Sequence, residues 1–210
     1  MALLPAWGFK KTRSTEAMKL GHVTEMRVRP VIPQILMNIG HQLEAQGQPN
    51  YFRFVTPCEE TGLYENLGSP YCISSPDGDF FRLHETENAL VSMKLECKGL
   101  SGKRTLPAGR KLQEDQGLFT RIHFKYDTPI NELQQLLMFF GNRKLEVFKL
   151  IHHASVTESE IIYCLVNANS GEFLKIFHVV FDEAWRRFHR ESLTFVICRI
   201  IFLKHLVMYM

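Results

Sequence analysis

The chain lacks a Cys-x-x-Cys pair, the spacing on which zinc sites and thioredoxin-like centres are built. Its five cysteines, Cys58, Cys72, Cys97, Cys164 and Cys198, are scattered and odd in number. A complete disulfide framework is therefore excluded, and a reducing, intracellular compartment is expected. No run of about 18 uncharged apolar residues is present, because 193–210, the nearest approach, carries Arg199, Lys204 and His205. No membrane-spanning helix is expected. Charge of one sign is also scarce: 25 Lys and Arg against 22 Asp and Glu leave +3, with nine histidines. That bias is too small to argue by itself for nucleic acid or an anionic membrane. The run Gly99-Leu100-Ser101-Gly102-Lys103-Arg104-Thr105 is not a P-loop, since that motif needs Gly where Cys97 stands and Ser or Thr where Arg104 stands. Acid is missing before Glu16, where Lys10, Lys11 and Arg13 sit among hydroxyl residues. This suits an organelle transit peptide and equally a solvated terminus, so the expected location is cytoplasmic or mitochondrial.

What is present is a 45% apolar, globular composition and a construction that occurs twice. Tyr71 to Ser74, the turn Ser75-Pro76-Asp77-Gly78 and Asp79 to His84 form one strand-turn-strand unit. Ile161 to Val166, the turn Asn167 to Gly171 and Glu172 to Phe177 form the other. In the first turn Pro fixes φ, Asp supplies an acceptor and Gly tolerates positive φ.

Around these units, 21–29 reads as a strand ended by Pro30. Ile35, Leu36, Ile39 and Leu43 recur at helical spacing up to Gly47. Tyr51 to Val55 reads as a short strand, as do Asn88 to Cys97 and Leu118 to Tyr126 by their alternation. Residues 98–117 read as a basic, glycine-rich loop. Thr128-Pro129 opens a helix that Gly141 ends, 145–151 reads as a strand, and Asp182 to Arg190 as a helix. Ser155-Val156-Thr157-Glu158 has the form of a capping box before Ile161, as in a winged-helix DNA reader, but the β-branched run that follows favours a strand. The fold class is thus α+β, with paired β-α-β-β-β modules in a mixed sheet. The expected organisation is a basic segment 1–20, a first module 21–88, a second module 89–190 carrying the 98–117 loop, and an apolar tail 191–210.

On these residues the chain resembles the glyoxalase and vicinal-oxygen-chelate superfamily. Gly21-His22-Val23 and Arg121-Ile122-His123-Phe124 look like its opening strands, and the turns at Asp77-Gly78 and Ser170-Gly171 like its closing ones. The layout from Met93 to Arg186 is similar to the last module of two-domain animal glyoxalase domain-containing proteins. The resemblance implies a divalent metal (zinc, nickel, manganese or iron) held by His22 and His123, with Glu96 as the catalytic carboxylate. Where the family places ligand Glu residues, this chain has Arg82 and Lys175, and a guanidinium does not ligate a metal. The ligand set is therefore incomplete.

The leading expectation is a glyoxalase-like protein with a degenerate metal site, binding a small anionic metabolite or a protein partner, with a homodimer reasonable. Arg82, Lys103, Arg104 and Lys175 are the candidate anion-binding residues. An active metal-dependent lyase or isomerase is the alternative, and a nucleic-acid binder using the basic 98–111 loop is the third reading.

Overall fold

The computed structural model describes residues 15–66, 69–129 and 144–208. Along the chain run α1 (Glu16–Val28), α2 (Ile32–Ala45), β1 (Tyr64–Asn66), β2 (Ser69–Ser74), β3 (Gly78–Leu83) and β4 (Leu90–Leu100). They are followed by α3 (Thr105–Gln116), β5 (Phe119–Phe124), α4 (Lys144–Thr157), β6 (Glu160–Asn167), β7 (Phe173–Phe181) and α5 (Glu183–Met208). The class is α+β, as expected. Five strands form a mixed sheet in the order β3-β4-β6-β7-β5, and β1 with β2 forms a separate two-stranded ribbon. Pairs β4/β6 and β5/β7 are parallel, and pairs β3/β4 and β6/β7 antiparallel.

Strand β6 shows why the sheet sits at the centre. Ile161, Tyr163 and Leu165 enter a core that contains Val147, Leu150, Ile151 and Ala154 of α4. Ile162, Cys164 and Val166 enter the opposite core with Val28, Ile32, Leu36 and Ile39 of α1 and α2. A strand covered on both faces reads as an unbroken apolar run, which is what Ile161 to Val166 is.

Several expected elements differ. The strand expected over 21–29 is the helix α1, opened by Thr15, whose hydroxyl accepts from Met18 N at 3.3 Å. Its buried residues Thr24 and Val28 lie four apart, a helical interval that the β-branched residues around it obscured. The strand expected over 145–151 is α4, whose buried Val147, Leu150, Ile151 and Ala154 follow the i, i+3, i+4, i+7 pattern. Ser155 and Thr157 do not cap a following helix. Their hydroxyls donate back to Ile151 O and His153 O within α4, and Glu158 ends it at φ 51. The basic loop 98–117 is largely structured, as the end of β4 and then α3, which Gly117 terminates at φ 69.

The two strand-turn-strand units are also unlike. β6 and β7 pair as a hairpin, with Gly171 N donating to Asn167 O at 2.8 Å. β2 and β3 do not pair with each other. Asp77 N donates to Leu95 O at 2.8 Å and Asp77 Oδ2 accepts from Cys97 N at 2.7 Å, so β4 captures the turn and sends β2 away from the sheet. Tyr51 to Val55 contributes only an isolated bridge, Val55 to Arg82. The helix at Asp182 to Arg190 is present and extends to Met208 as α5. The helix expected from Thr128 to Gly141 lies outside the described residues from 130 on, as does the basic segment up to residue 14. Among the described residues no helix is long and apolar enough to cross a membrane.

Candidate functional site

A cleft of about 530 Å³ opens between the end of α2 and the start of β5, lined by Ile39, Leu43, Tyr51, Leu118 and Phe119 and by the polar Gln42, Gln46, Gln48, Thr120 and Arg121. One wall follows from how α2 stops. Gly47 adopts φ 71, and Gly47 N and Gln48 N donate to Glu44 O and Leu43 O at 3.0 and 2.9 Å. The returning chain is then pinned by Asn50, whose Oδ1 accepts from Phe52 N at 3.0 Å and whose Nδ2 donates to Glu44 Oε2 at 3.1 Å. Gly40 makes room for this, because a Cβ there would lie 2.1 Å from Asn50 Oδ1. Tyr51 is thereby held against the cleft.

The opposite wall is set by Lys175. Its ammonium donates to Gln116 O, Gly117 O and Thr120 Oγ1 at 3.1, 2.8 and 2.6 Å, satisfying carbonyls that α3 leaves open at its end. Burial pulls the Lys175 pKa down to about 8. Lys175 is 0% exposed, so this residue shapes the wall and has its donors engaged by the protein itself.

Arg121 occupies the cleft. Its guanidinium carbon lies 4.4 Å from the centre of the Tyr51 ring, a cation–π arrangement. Its Nε is shielded from solvent and has no hydrogen-bond partner among the described residues. The residues lining the cleft include no Asp or Glu. A cation with a donor unspent, apolar walls and three glutamine amides at the rim suit a small molecule with an anionic end and an apolar or planar body.

Arg82 stands elsewhere and is spent. Its Nε and Nη2 donate to the two carboxylate oxygens of Glu160 at 2.8 and 3.0 Å, and its Nη1 donates to Glu85 Oε1 at 2.8 Å. His178 Nε2 donates to Glu160 Oε2 at 2.7 Å. Burial pushes the Glu160 carboxyl up, but His178 and Arg82 outweigh it and hold the group far below the usual carboxylate range. Burial lowers the His178 pKa, against the pull of the Glu160 carboxylate. The cluster ties β3, β6 and β7 together.

Glu96 lies in a second buried cluster. Lys149 and His153, one turn apart on α4, face it. Lys149 Nζ donates to Glu96 Oε1, and His153 Nε2 stands 3.2 Å from Glu96 Oε2. Burial works against the charge on Glu96, yet His153 and Lys149 keep its pKa below the ordinary value. On the other side of the His153 ring, Ser74 Oγ lies 2.5 Å from Nδ1. Asp77 completes the group. Burial, and then the neighbouring Glu96 charge, push its carboxyl up to about 7.

The other expected site residues are dispersed. His22 is exposed on α1, 3.6 Å from Glu25. His123 faces outward on β5, its pKa lowered by partial burial and by Arg121 and Lys125. Lys103 and Arg104 are exposed at the start of α3. With Arg110 and Lys111 they border a broad depression of about 750 Å³ that also contains Glu114 and Asp115, so its charge is mixed. Among the described residues, no three or more His, Cys, Asp or Glu side chains are grouped as a metal would require. Sequence reasoning reached Glu96 but missed His153 and Ser74, its partners from α4 and β2. It noted Arg121 only as the first residue of the opening strand Arg121-Ile122-His123-Phe124. An unbalanced Arg at the start of an amphipathic strand was the one available signal. No protein-family model matches the chain, and no curated protein matches it in sequence.

Proposed function

We propose that the protein binds a small anionic metabolite, carboxylate- or phosphate-bearing with an apolar or planar body, in the cleft between α2 and β5. The observation that carries this reading is the Arg121 guanidinium stacked on Tyr51 in a cleft without acid, with Nε unpartnered among the described residues. An anion accepting from that donor gains a charge-assisted hydrogen bond, stronger than a neutral one. The ring of Tyr51 and the side chains of Ile39, Leu43 and Phe119 cover the body of the ligand. The glutamines at the rim select among polar substituents.

In the terms of the sequence resemblance, this is a glyoxalase-like binding protein whose chelate positions at Arg82 and Lys175 serve the fold. Screening aromatic and aliphatic carboxylates and phosphates by thermal shift tests the reading. Hits are expected to weaken at least tenfold in Arg121→Met and to tolerate Lys103→Ala with Arg104→Ala. Hits that follow the Lys103 and Arg104 variant instead would move the site to α3. Metal analysis separates the metal-dependent alternative: one zinc, nickel, manganese or iron per chain, lost in His22→Ala with His123→Ala, would favour it. Binding to RNA or DNA that falls steeply with salt would favour the nucleic-acid reading.

A further inference from the structure

Helix α3 carries its charges the wrong way round. The dipole of a helix favours acids in the first turn and bases in the last, and α3 has no acid in its first turn and no base in its last. Lys103 and Arg104 stand instead at its N-terminal end, and Glu114 and Asp115 at its C-terminal end. Among the described residues, none of these, nor Lys111, has an ion-pair partner, whereas Arg110 at the flank is paired with Glu172 at 3.5 Å. The layout works against the helix and is not relieved within the described chain.

The inner side of α3 is fixed on the sheet. Gly109 is packed so closely that a Cβ there would lie 2.9 Å from Leu100 Cδ1 and 3.0 Å from Leu174 Cδ1, and Leu106 and Leu112 pack on the core beneath. At about 100° per residue, the side opposite Gly109 carries Lys103, Arg104, Pro107, Lys111, Glu114 and Asp115, all exposed. They border the broad depression of about 750 Å³ described above. About Gly109, Lys103 is the counterpart of Asp115, Arg104 of Glu114, and Pro107 of Lys111. A half-turn at that midpoint exchanges base with acid.

We infer that the outer face of α3 is the contact through which two copies of this chain form a weak two-fold dimer. An interface of that symmetry needs a patch complementary to itself, which this one is. Laid antiparallel, the second copy brings its acidic end to Lys103 and Arg104 and its basic end to Glu114 and Asp115, with the two helix dipoles opposed. At the centre the stem of Lys111 covers the ring of Pro107 from the other copy. A nucleic-acid strand would satisfy the basic end alone and leave Glu114 and Asp115 uncompensated. A single helix pair buries less than the ~800 Å² per partner of a stable complex, and exposed ion pairs are individually weak and screened by salt. The dimer is therefore reversible and salt-sensitive.

Sedimentation equilibrium of the full chain at rising concentration tests this. The wild type is expected to dimerise, with a dissociation constant at least tenfold higher in about 0.5 M salt than in about 0.05 M. Lys103→Glu with Arg104→Glu makes the face acidic throughout, and Glu114→Lys with Asp115→Lys makes it basic throughout. Each double variant should self-associate at least tenfold more weakly, and an equimolar mixture of the two should recover the wild-type affinity, because base again meets acid along the whole face. All four positions are exposed, so melting temperatures close to that of the wild type are expected. A wild type that stays monomeric at every concentration, a dimer indifferent to salt and to both variants, or a mixture no better than its components overturns the inference. A monomeric wild type that binds an oligonucleotide through Lys103 and Arg104 overturns it in favour of the nucleic-acid reading. Arg121 lies outside this face and Arg121→Met should dimerise like the wild type, so failure of ligand binding and failure of dimerisation are separate outcomes.

Discussion

Two buried histidine–glutamate pairs are braced differently in this fold. At Glu160 the carboxylate receives His178 on one side and a two-pronged Arg82 on the other. Arginine does not deprotonate, so that centre acts as a permanent clamp among strands. At Glu96 the histidine contacts Ser74 on its other nitrogen, and the cation is a half-exposed lysine. The geometry decides the difference: Arg82 holds both carboxylate oxygens of Glu160 by hydrogen bonds, whereas Glu96 Oε2 lies 3.2 Å from His153 Nε2 without a hydrogen bond. The Arg121 cleft is a third arrangement, a cation from which the acid is missing.

The contrast is sharpest in the cost of removing each cation. Arg82→Met strands the Glu160 carboxylate in the core and is expected to destabilise the protein by about 3–5 kcal/mol. Lys149→Met, with its cation partly in water, should cost about 1 kcal/mol or less. Urea denaturation of the two variants measures both, and equal losses would erase the distinction.

A second difference is Asp77, a carboxyl beside Glu96 whose pKa is raised, whereas the second carboxyl of the other centre, Glu85, is paired with Arg82. Its folded pKa of about 7 exceeds the ordinary value of 3.8, so the folded state holds a proton that the unfolded state has released. Its contribution to stability is therefore full below about 3.8 and lost as pH rises through about 7. Asp77→Asn should be on the order of 2 kcal/mol more stable than wild type at pH 8 and equal to it near pH 4. Glu160 has the opposite sign. Its depressed pKa gives stability above the usual carboxylate range that is lost only in strong acid. Melting temperatures of wild type and variant across this range check the sign.

The smallest expected effect is Ser74→Ala, about 1 kcal/mol for one buried hydrogen bond. A loss several times larger, measured by the same denaturation, would make Ser74 a pillar of the ribbon.

The α+β class was legible because β4, β5, β6 and β7 carry alternating or continuous apolar runs that survive in any packing. The end of α2 at Gly47 and the hairpin at Gly171 were legible because positive φ there needs glycine. Helices α1 and α4 were misread because Val23, Thr24, Val28 and the segment Val147 to Ile151 contain the residues strands prefer. Which face each residue takes was decided by tertiary packing against β4 and β6. The pairing partner of β2 was hidden for a similar reason: a turn that looks like a hairpin was captured by β4 through Asp77. Of the site, Glu96 was visible as a carboxylate on a strand, while Ser74 and His153 become its neighbours only once α4 is a helix. Arg82 and Lys175 stood out as charges in apolar strands, and the structure shows each buried on protein acceptors.

The most direct measurement of the central claim is calorimetric titration of the wild type and Arg121→Met with an aromatic carboxylate taken from the screen and with its uncharged amide. The account predicts that the wild type prefers the carboxylate by at least tenfold, and that Arg121→Met binds both weakly and alike. Equal affinity of the wild type for the two, or a preference that persists without Arg121, would contradict it.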